Sequence, residues 1–206
     1  MNPLPAESDG DLSLESAGAL MTPEEFDTID DYDELYCYEL VHGVLVVRDH
    51  PPPEEAGPNE LLGHLLFAYQ ENHPRGGALD LTLPQQYVRT RTSRRLADRL
   101  IWAGLGRLAS RRRDLAAIAV EFVSAGRRNQ RRDYEEKRQE YLAHGVAEYW
   151  IIDRFRRVLT VVVNGPGGPT EVTVTEQEVY RTPRLPGFEL PLARLLALAD
   201  QWAPPE

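Results

Sequence analysis

Residues 115–123 read LAAIAVEFV, and this segment indicates the fold class. Eight of its nine side chains are apolar, which predicts a central β-strand that is covered on both faces. The exception is Glu121, close to the end of the strand. A carboxylate at such a position is unfavourable unless it is paired, hydrogen-bonded, protonated or bound to a metal ion. The sequence therefore predicts that Glu121 has a partner in the folded protein.

The elements on either side of this strand are predicted by periodicity and capping signals. In chain order we predict a short helix after Thr22, a hairpin of residues 38–41 and 44–47, a helix over 60–72, strands over 78–88, 95–103 and 115–123, a helix over 133–144, and strands over 148–153, 158–163 and 171–175. This order predicts an α/β (α+β) fold with a mixed central β-sheet flanked by helices, preceded by an N-terminal helix and hairpin. The sequence predicts a disordered acidic tail over residues 1–21 and a single domain over residues 22–206.

Charge is distributed unevenly along the 206 residues, whose net charge is -10. Residues 1–60 contain 16 acidic residues and one arginine, whereas residues 89–138 contain 15 basic and 6 acidic residues. The overall acidity argues against a protein that simply coats nucleic acid. The arginine-rich centre is typical of a phosphate-binding surface and also of a solvated loop.

Other compositional features bear on location. Cys37 is the only cysteine, so no internal disulfide can form, as is usual in a reducing compartment. No run of the sequence approaches the roughly 18 apolar residues of a membrane span. We therefore expect a cytoplasmic protein that does not bind membranes.

Asp98 is a second carboxylate in a strand-like segment, 23 residues before Glu121. Adjacent strands would bring the two side by side, where a hard cation such as Mg²⁺ relieves their repulsion. The alternative is that each carboxylate pairs with an arginine, for example Asp98 with Arg95 or Arg99, and for Asp98 taken alone this alternative is favoured.

Lys137 is the only lysine among the 23 basic residues. It lies on the helix after the Glu121 strand, so its ammonium could reach back over the end of that strand. Asp133 stands four residues before it, and a surface Asp133–Lys137 ion pair is the alternative. Between strand and helix lie four arginines that could contact DNA phosphates or merely be solvated: Arg127, Arg128, Arg131 and Arg132.

In their order along the chain, these segments resemble the Uma-type putative restriction endonucleases, which belong to the PD-(D/E)xK nuclease superfamily. The resemblance extends from about Thr22 to Leu195. It is carried by YELVHGVLV at 38–46, Asp98, VEFVS at 120–124, Arg132-Asp133 with Lys137, GVAEYWIID at 145–153 and PGF at 186–188.

The resemblance implies a restriction endonuclease-like core with Asp98 and Glu121 as ligands of Mg²⁺ or Mn²⁺. The superfamily's catalytic lysine stands two residues after the glutamate. Val123 occupies that position here, and Lys137 matches a lysine displaced to the following helix. Glu39 matches a recurrent family position whose role is structural or catalytic.

The implied activity is that of a metal-dependent DNA endonuclease acting as a homodimer. The alternative is a non-catalytic module that retains the nuclease fold and binds nucleic acid or another protein.

Overall fold

The computed structural model describes residues 12–202, which divide into two compact units. The described residues of the first unit are 12–50 and 89–95, and those of the second are 51–88 and 96–202. The strands are β1 (Tyr36–Val41), β2 (Val44–Asp49), β3 (Leu79–Arg89), β4 (Arg94–Ala103), β5 (Ile118–Phe122), β6 (Glu148–Asp153), β7 (Val158–Gly165), β8 (Gly168–Thr175), β9 (Val179–Tyr180) and β10 (Leu190–Pro191). The α-helices are α1 (Pro23–Thr28), α2 (Pro53–Asn72), α3 (Arg127–Arg131), α4 (Lys137–His144) and α5 (Leu192–Trp202).

The first unit is built on the predicted hairpin. Strands β1 and β2 pair antiparallel from Tyr36↔Asp49 to Val41↔Val44. The two residues of the turn, His42 and Gly43, both have positive φ, at 50° and 81°, as a two-residue turn of type I′ requires.

Helix α1 begins as its capping signals predict. The Thr22 hydroxyl accepts from the Glu25 N–H at 3.1 Å, and the Glu25 carboxylate accepts from the Thr22 N–H at 2.7 Å. This reciprocal capping satisfies two N–H groups that have no partner within the helix.

The predicted acidic tail over residues 1–21 is described only in part, because residues 1–11 lie outside the described residues. Residues 12–21 include a 3₁₀ turn at Leu14–Ser16, and the Gly18 N–H donates to the Leu45 carbonyl at 2.8 Å. Ordered contacts therefore begin before Thr22. The single domain over residues 22–206 stays a prediction.

Glu39 of β1 is buried in the first unit and faces two guanidinium groups. Its Oε1 accepts from Arg48 at 2.8 Å, and its Oε2 lies 3.6 Å from Nε of Arg95. These ion pairs compensate the burial of the carboxylate, which is a structural role for this residue.

The second unit contains a mixed sheet in the order β4-β5-β6-β7-β8, with β3 also paired to β4. Strands β5 and β6 run parallel, whereas β4–β5, β6–β7 and β7–β8 are antiparallel. The parallel pair is joined by the helical segment over residues 127–144, since parallel neighbours need a crossover connection.

The prediction that β5 is covered on both faces is confirmed. On one face Val120 and Phe122 belong to the cluster that contains Leu62 of α2 and Leu195 of α5. On the other face Ala119 belongs to a second cluster with Tyr141 of α4. The sheet is thus flanked by helices on both sides, as the predicted fold class requires.

Helix α2 begins at Pro53, whereas the sequence predicts its start near Glu60. The run of prolines at 51–53 reads as a break, but Pro53 occupies the first position of the helix, where a missing N–H costs nothing. Pro58 lies inside the helix. Within residues 12–202, no helix combines the length and the apolar composition needed to cross a bilayer.

A substitution at Gly145 tests how the crossover segment, the helical segment over residues 127–144, ends at its C-terminus. It has φ 101° and ends α4, and an added Cβ would lie 3.2 Å from Leu115 Cδ2. We expect Gly145→Ala to lower the free energy of unfolding by about 1–2 kcal/mol in urea denaturation, because left-handed backbone disfavours a side chain.

The matched control is Gly77→Ala, since an added Cβ at Gly77 meets nothing within 4 Å and its φ is not positive. That substitution should be neutral or stabilising by up to about 1 kcal/mol. Equal losses in the two variants would contradict the role assigned to Gly145.

Candidate functional site

Asp98 and Glu121 face each other on adjacent strands. The β4–β5 register pairs Arg99 with Val120, and continuing it by one residue sets Asp98 opposite Glu121 on the same face of the sheet. Asp98 Oδ2 accepts from the Phe122 N–H at 2.7 Å. The structure thus brings the two predicted carboxylates together.

Two further contacts hold the Asp98 position. Asn59 Nδ2 of α2 donates to the Asp98 backbone carbonyl at 2.8 Å, and Gln85 Nε2 lies 3.5 Å from Asp98 Oδ1. Gln85 has φ 48°, which is strained backbone for a residue with a side chain. The Arg99 side chain extends instead to Asn59 Oδ1, at 2.8 Å, and to the Thr82 hydroxyl.

Glu121 is 1% exposed and has the partner that its burial demands. Its Oε2 lies 2.7 Å from Lys137 Nζ, and its Oε1 accepts from the Tyr141 hydroxyl at 2.9 Å. Lys137 Nζ also donates to the Leu96 carbonyl at 2.7 Å. Burial raises the pKa of Glu121, and the adjacent Lys137 ammonium opposes that rise.

The path of the crossover segment explains why Lys137 reaches Glu121. The predicted helix over 133–144 in fact begins at Arg127 and contains a π-helical turn over Arg132–Glu136, from which α4 continues. A π turn inserts one residue and so rotates the next part of the helix about its axis. Lys137 and Tyr141, one turn apart, then contact the same carboxylate.

The alternative of a surface Asp133–Lys137 ion pair is wrong in its location, because both side chains are fully buried. Asp133 Oδ1 accepts from Arg132 Nε at 2.9 Å.

Glu55 is a third carboxylate near this site, and the sequence pattern did not predict it. It lies in the first turn of α2, is 5% exposed, and accepts from the Ser124 hydroxyl at 2.8 Å. Burial, with a smaller contribution from the charges of Asp98 and Asp133, raises its pKa to about 7. The signal for Glu55 was an acidic pair after Pro53, which marks the first turn of a helix.

The carboxylates of Asp98 and Glu121 have the chemistry of ligands for a hard divalent cation. Carboxylate oxygens are the ligands that Mg²⁺ prefers, and an oxygen that accepts one hydrogen bond keeps a second lone pair. Asp98 and Glu121 could therefore both bind an ion. Within residues 12–202, however, no three His, Cys, Asp or Glu side chains are placed to hold one metal ion.

The four predicted DNA-binding arginines have different surroundings. Arg127 and Arg128 are exposed and have no ion-pair partner among the described residues. Arg131 lies 3.5 Å from Glu135, with both side chains largely exposed, and Arg132 pairs with Asp133. The first two are thus better placed to meet a phosphate.

The Glu121–Lys137 pair makes a stability prediction. We expect Lys137→Met to cost about 3–5 kcal/mol in urea denaturation, because it leaves a buried carboxylate without its cation. The double variant Glu121→Gln/Lys137→Met should recover part of that loss.

The matched control is Arg138→Met on the same helix. Arg138 pairs with Glu171 at 2.6 Å, but the two side chains are 31% and 43% exposed, so the loss should stay below about 1 kcal/mol. Similar losses at positions 137 and 138 would contradict a buried, coupled pair.

Glu55 makes a pH prediction. Its pKa is about 7 in the folded protein against an ordinary 4.5, so the folded state binds more protons between these values and stability falls as pH rises through this window. In metal-free buffer at about pH 8, Glu55→Gln should be about 2–3 kcal/mol more stable than the parent. Near pH 4 the two should be equal.

Ser124→Ala is the companion variant for that experiment. It removes a hydrogen bond that lowers the pKa of Glu55, so the loss of stability with rising pH should extend to higher pH than in the parent. Parallel stability curves for the parent and Glu55→Gln would show that Glu55 does not titrate in this window.

Comparisons with known proteins agree with the fold. The model of the Uma2 family, described as putative restriction endonuclease, matches residues 23–193. The fold is similar to that of a putative nuclease belonging to DUF820 from Anabaena variabilis, with a TM-score of 0.68 and 10% sequence identity, over 87% of this chain and 99% of that one. At that identity the likeness shows the fold alone. No curated protein matches the sequence. Since the family model spans most of the chain, this protein belongs to the Uma2 family of putative restriction endonucleases.

Proposed function

We propose that this protein is a Mg²⁺-dependent DNA endonuclease whose metal ion is held by Asp98 and Glu121 and whose reaction is assisted by Lys137. The observation that carries the proposal is the convergence of these three residues at one end of the sheet. Lys137 is the only lysine of the chain, and its Nζ lies 2.7 Å from Glu121 Oε2. Membership of the family supports the same activity.

The chain's own groups would hold the two ligands in position. The Phe122 N–H orients Asp98, while Lys137 and Tyr141 orient Glu121 from both of its oxygens. The Phe122 carbonyl, at the end of β5, would be a further oxygen ligand. A bound Mg²⁺ would polarise the phosphoryl oxygen and lower the pKa of a water molecule.

Lys137 has the chemistry required of the assisting group. Its ammonium is compact and rotatable, whereas a guanidinium is a wide planar fork. In the proposed reaction it would orient the attacking water and stabilise the negative charge that develops on the phosphoryl oxygens. Arg127 and Arg128 would contact the flanking phosphates, which positions DNA without reading its sequence.

The direct test is plasmid nicking by purified protein with Mg²⁺ or Mn²⁺. We expect Asp98→Asn and Glu121→Gln to lower the rate at least about 100-fold, because each removes charge that binds the metal ion. The matched control is Asp80→Asn on β3, since Asp80 also accepts a backbone N–H, that of Leu105 at 2.7 Å, yet has no role in the site. Cleavage that is equal in all four proteins would indicate contamination.

Lys137→Arg is the sharpest single substitution. It retains the positive charge but replaces the compact ammonium with a fork that the fully buried pocket cannot accept unchanged. We expect loss of nicking, with a thermal midpoint measured in parallel to detect misfolding. Full activity in this variant would remove Lys137 from the mechanism.

The second candidate is a non-catalytic module that binds nucleic acid or protein. Two observations favour it: no three potential metal ligands cluster within the described residues, and both Glu121 and Lys137 are fully buried. Absence of nicking together with absence of a Mg²⁺-induced thermal shift would select this alternative. A homodimer is part of the nuclease proposal, because cutting both strands of a duplex calls for two sites, and sedimentation velocity tests it.

A further inference from the structure

The turn between β6 and β7, residues 154–157, lies at the same edge of the sheet as the candidate site. Strands β5 and β6 are parallel, with Phe122 paired to Ile152, so both end at this edge. Glu121 lies near the end of β5, with Asp98 of β4 opposite it, and the turn comes directly after Asp153 at the end of β6. The turn also approaches α2, where Arg154 lies 3.4 Å from Glu54, the neighbour of Glu55.

This turn presents an aromatic ring to solvent in a fixed conformation. Phe155 is 45% exposed, and the Arg154 guanidinium lies over its ring, 4.2 Å from the centroid. The Asp153 carboxylate accepts from the backbone N–H groups of Phe155 and Arg156, both at 2.9 Å. The Arg154 guanidinium thus covers one face of the ring, and the buried Asp153 carboxylate holds the backbone of the turn.

A second arginine–aromatic pair lies beside the first. The Arg156 guanidinium is 5.5 Å from the centroid of the Tyr134 ring, and the Tyr134 hydroxyl donates to Asp153 Oδ2 at 2.9 Å. Within the described residues, Arg154 Nε is buried and has no hydrogen-bond partner. A single exposed apolar side chain needs no explanation. Two arginine–aromatic pairs side by side at the edge of a candidate active site call for one.

Resting on the nuclease function proposed above, we propose that this turn binds an unpaired base of the DNA substrate, which stacks on Phe155. Aromatic rings with neighbouring arginines are the groups by which proteins hold single-stranded nucleic acid. The faces of bases within a duplex are covered by their neighbours, so Phe155 stacks most readily on a base that is unpaired or flipped out. The exposed Arg156 guanidinium complements an adjoining phosphate. The substrate class is therefore DNA with a single-stranded or distorted segment at the cleavage site.

The test is fluorescence anisotropy with a labelled single strand and with the duplex of the same sequence. The Asp98→Asn background keeps the DNA intact in the presence of Mg²⁺. We expect Phe155→Ala to weaken binding of the single strand about 10-fold, in the range measured for one base–aromatic stack, and to change duplex binding less than about 2-fold. Phe155→Trp should retain the affinity for the single strand.

The matched control is Phe67→Ala, which removes a phenylalanine of similar exposure, 47%, on α2, and it should leave binding unchanged. Equal losses for single strand and duplex, or no loss for either, would overturn the stacking role while leaving the nuclease proposal intact. If the parent binds neither DNA, both proposals fail. A change in sedimentation with Phe155→Ala and none in DNA binding would show that the turn contacts a second copy of the chain instead.

Discussion

The second unit depends on one buried interaction, the contact of Glu121 with Lys137. A buried carboxylate on a central strand that is covered on both faces would oppose folding if it stood alone. Lys137 Nζ at 2.7 Å and the Tyr141 hydroxyl at 2.9 Å satisfy both of its oxygens. Both partners lie on α4, one turn apart. Their contacts with Glu121 therefore also set how the crossover segment packs against the sheet.

The same interaction explains why acidic groups can gather at this edge. Glu55, Asp98 and Asp133 lie close enough to Glu121 or to one another to raise a neighbour's pKa. Charges of like sign are costly in a site with little water. Lys137 compensates the charge of Glu121 from within the protein, and a bound divalent cation would compensate further carboxylate charges. Repulsion among these carboxylates thus favours the metal-dependent chemistry proposed for the site.

Much of the fold, and the proximity of Asp98, Glu121 and Lys137, could be predicted from sequence. The hairpin, the central strand and the αL stop at Gly145 obey short-range rules of turn and strand formation, and the structure confirms them. The sequence predicts the start of α2 seven residues too late, because a proline run reads as a break even where its last member begins a helix. That error also hid Glu55, which lies in the missed first turn.

Patterns along the chain predict most of the elements and the family, and they single out Glu121 and Lys137 because each differs from its neighbours, whereas Asp98 is selected through the family resemblance. The tertiary structure sets which groups meet. It placed Tyr141 on Glu121, set Ser124 against Glu55 across 69 positions of the chain, and occupied Arg131 and Arg132 with acidic neighbours. Such contacts join residues on different elements, and their geometry depends on how a helix with a π turn packs against a sheet. Patterns along the chain record which residues are buried, whereas packing alone decides what each buried polar group touches.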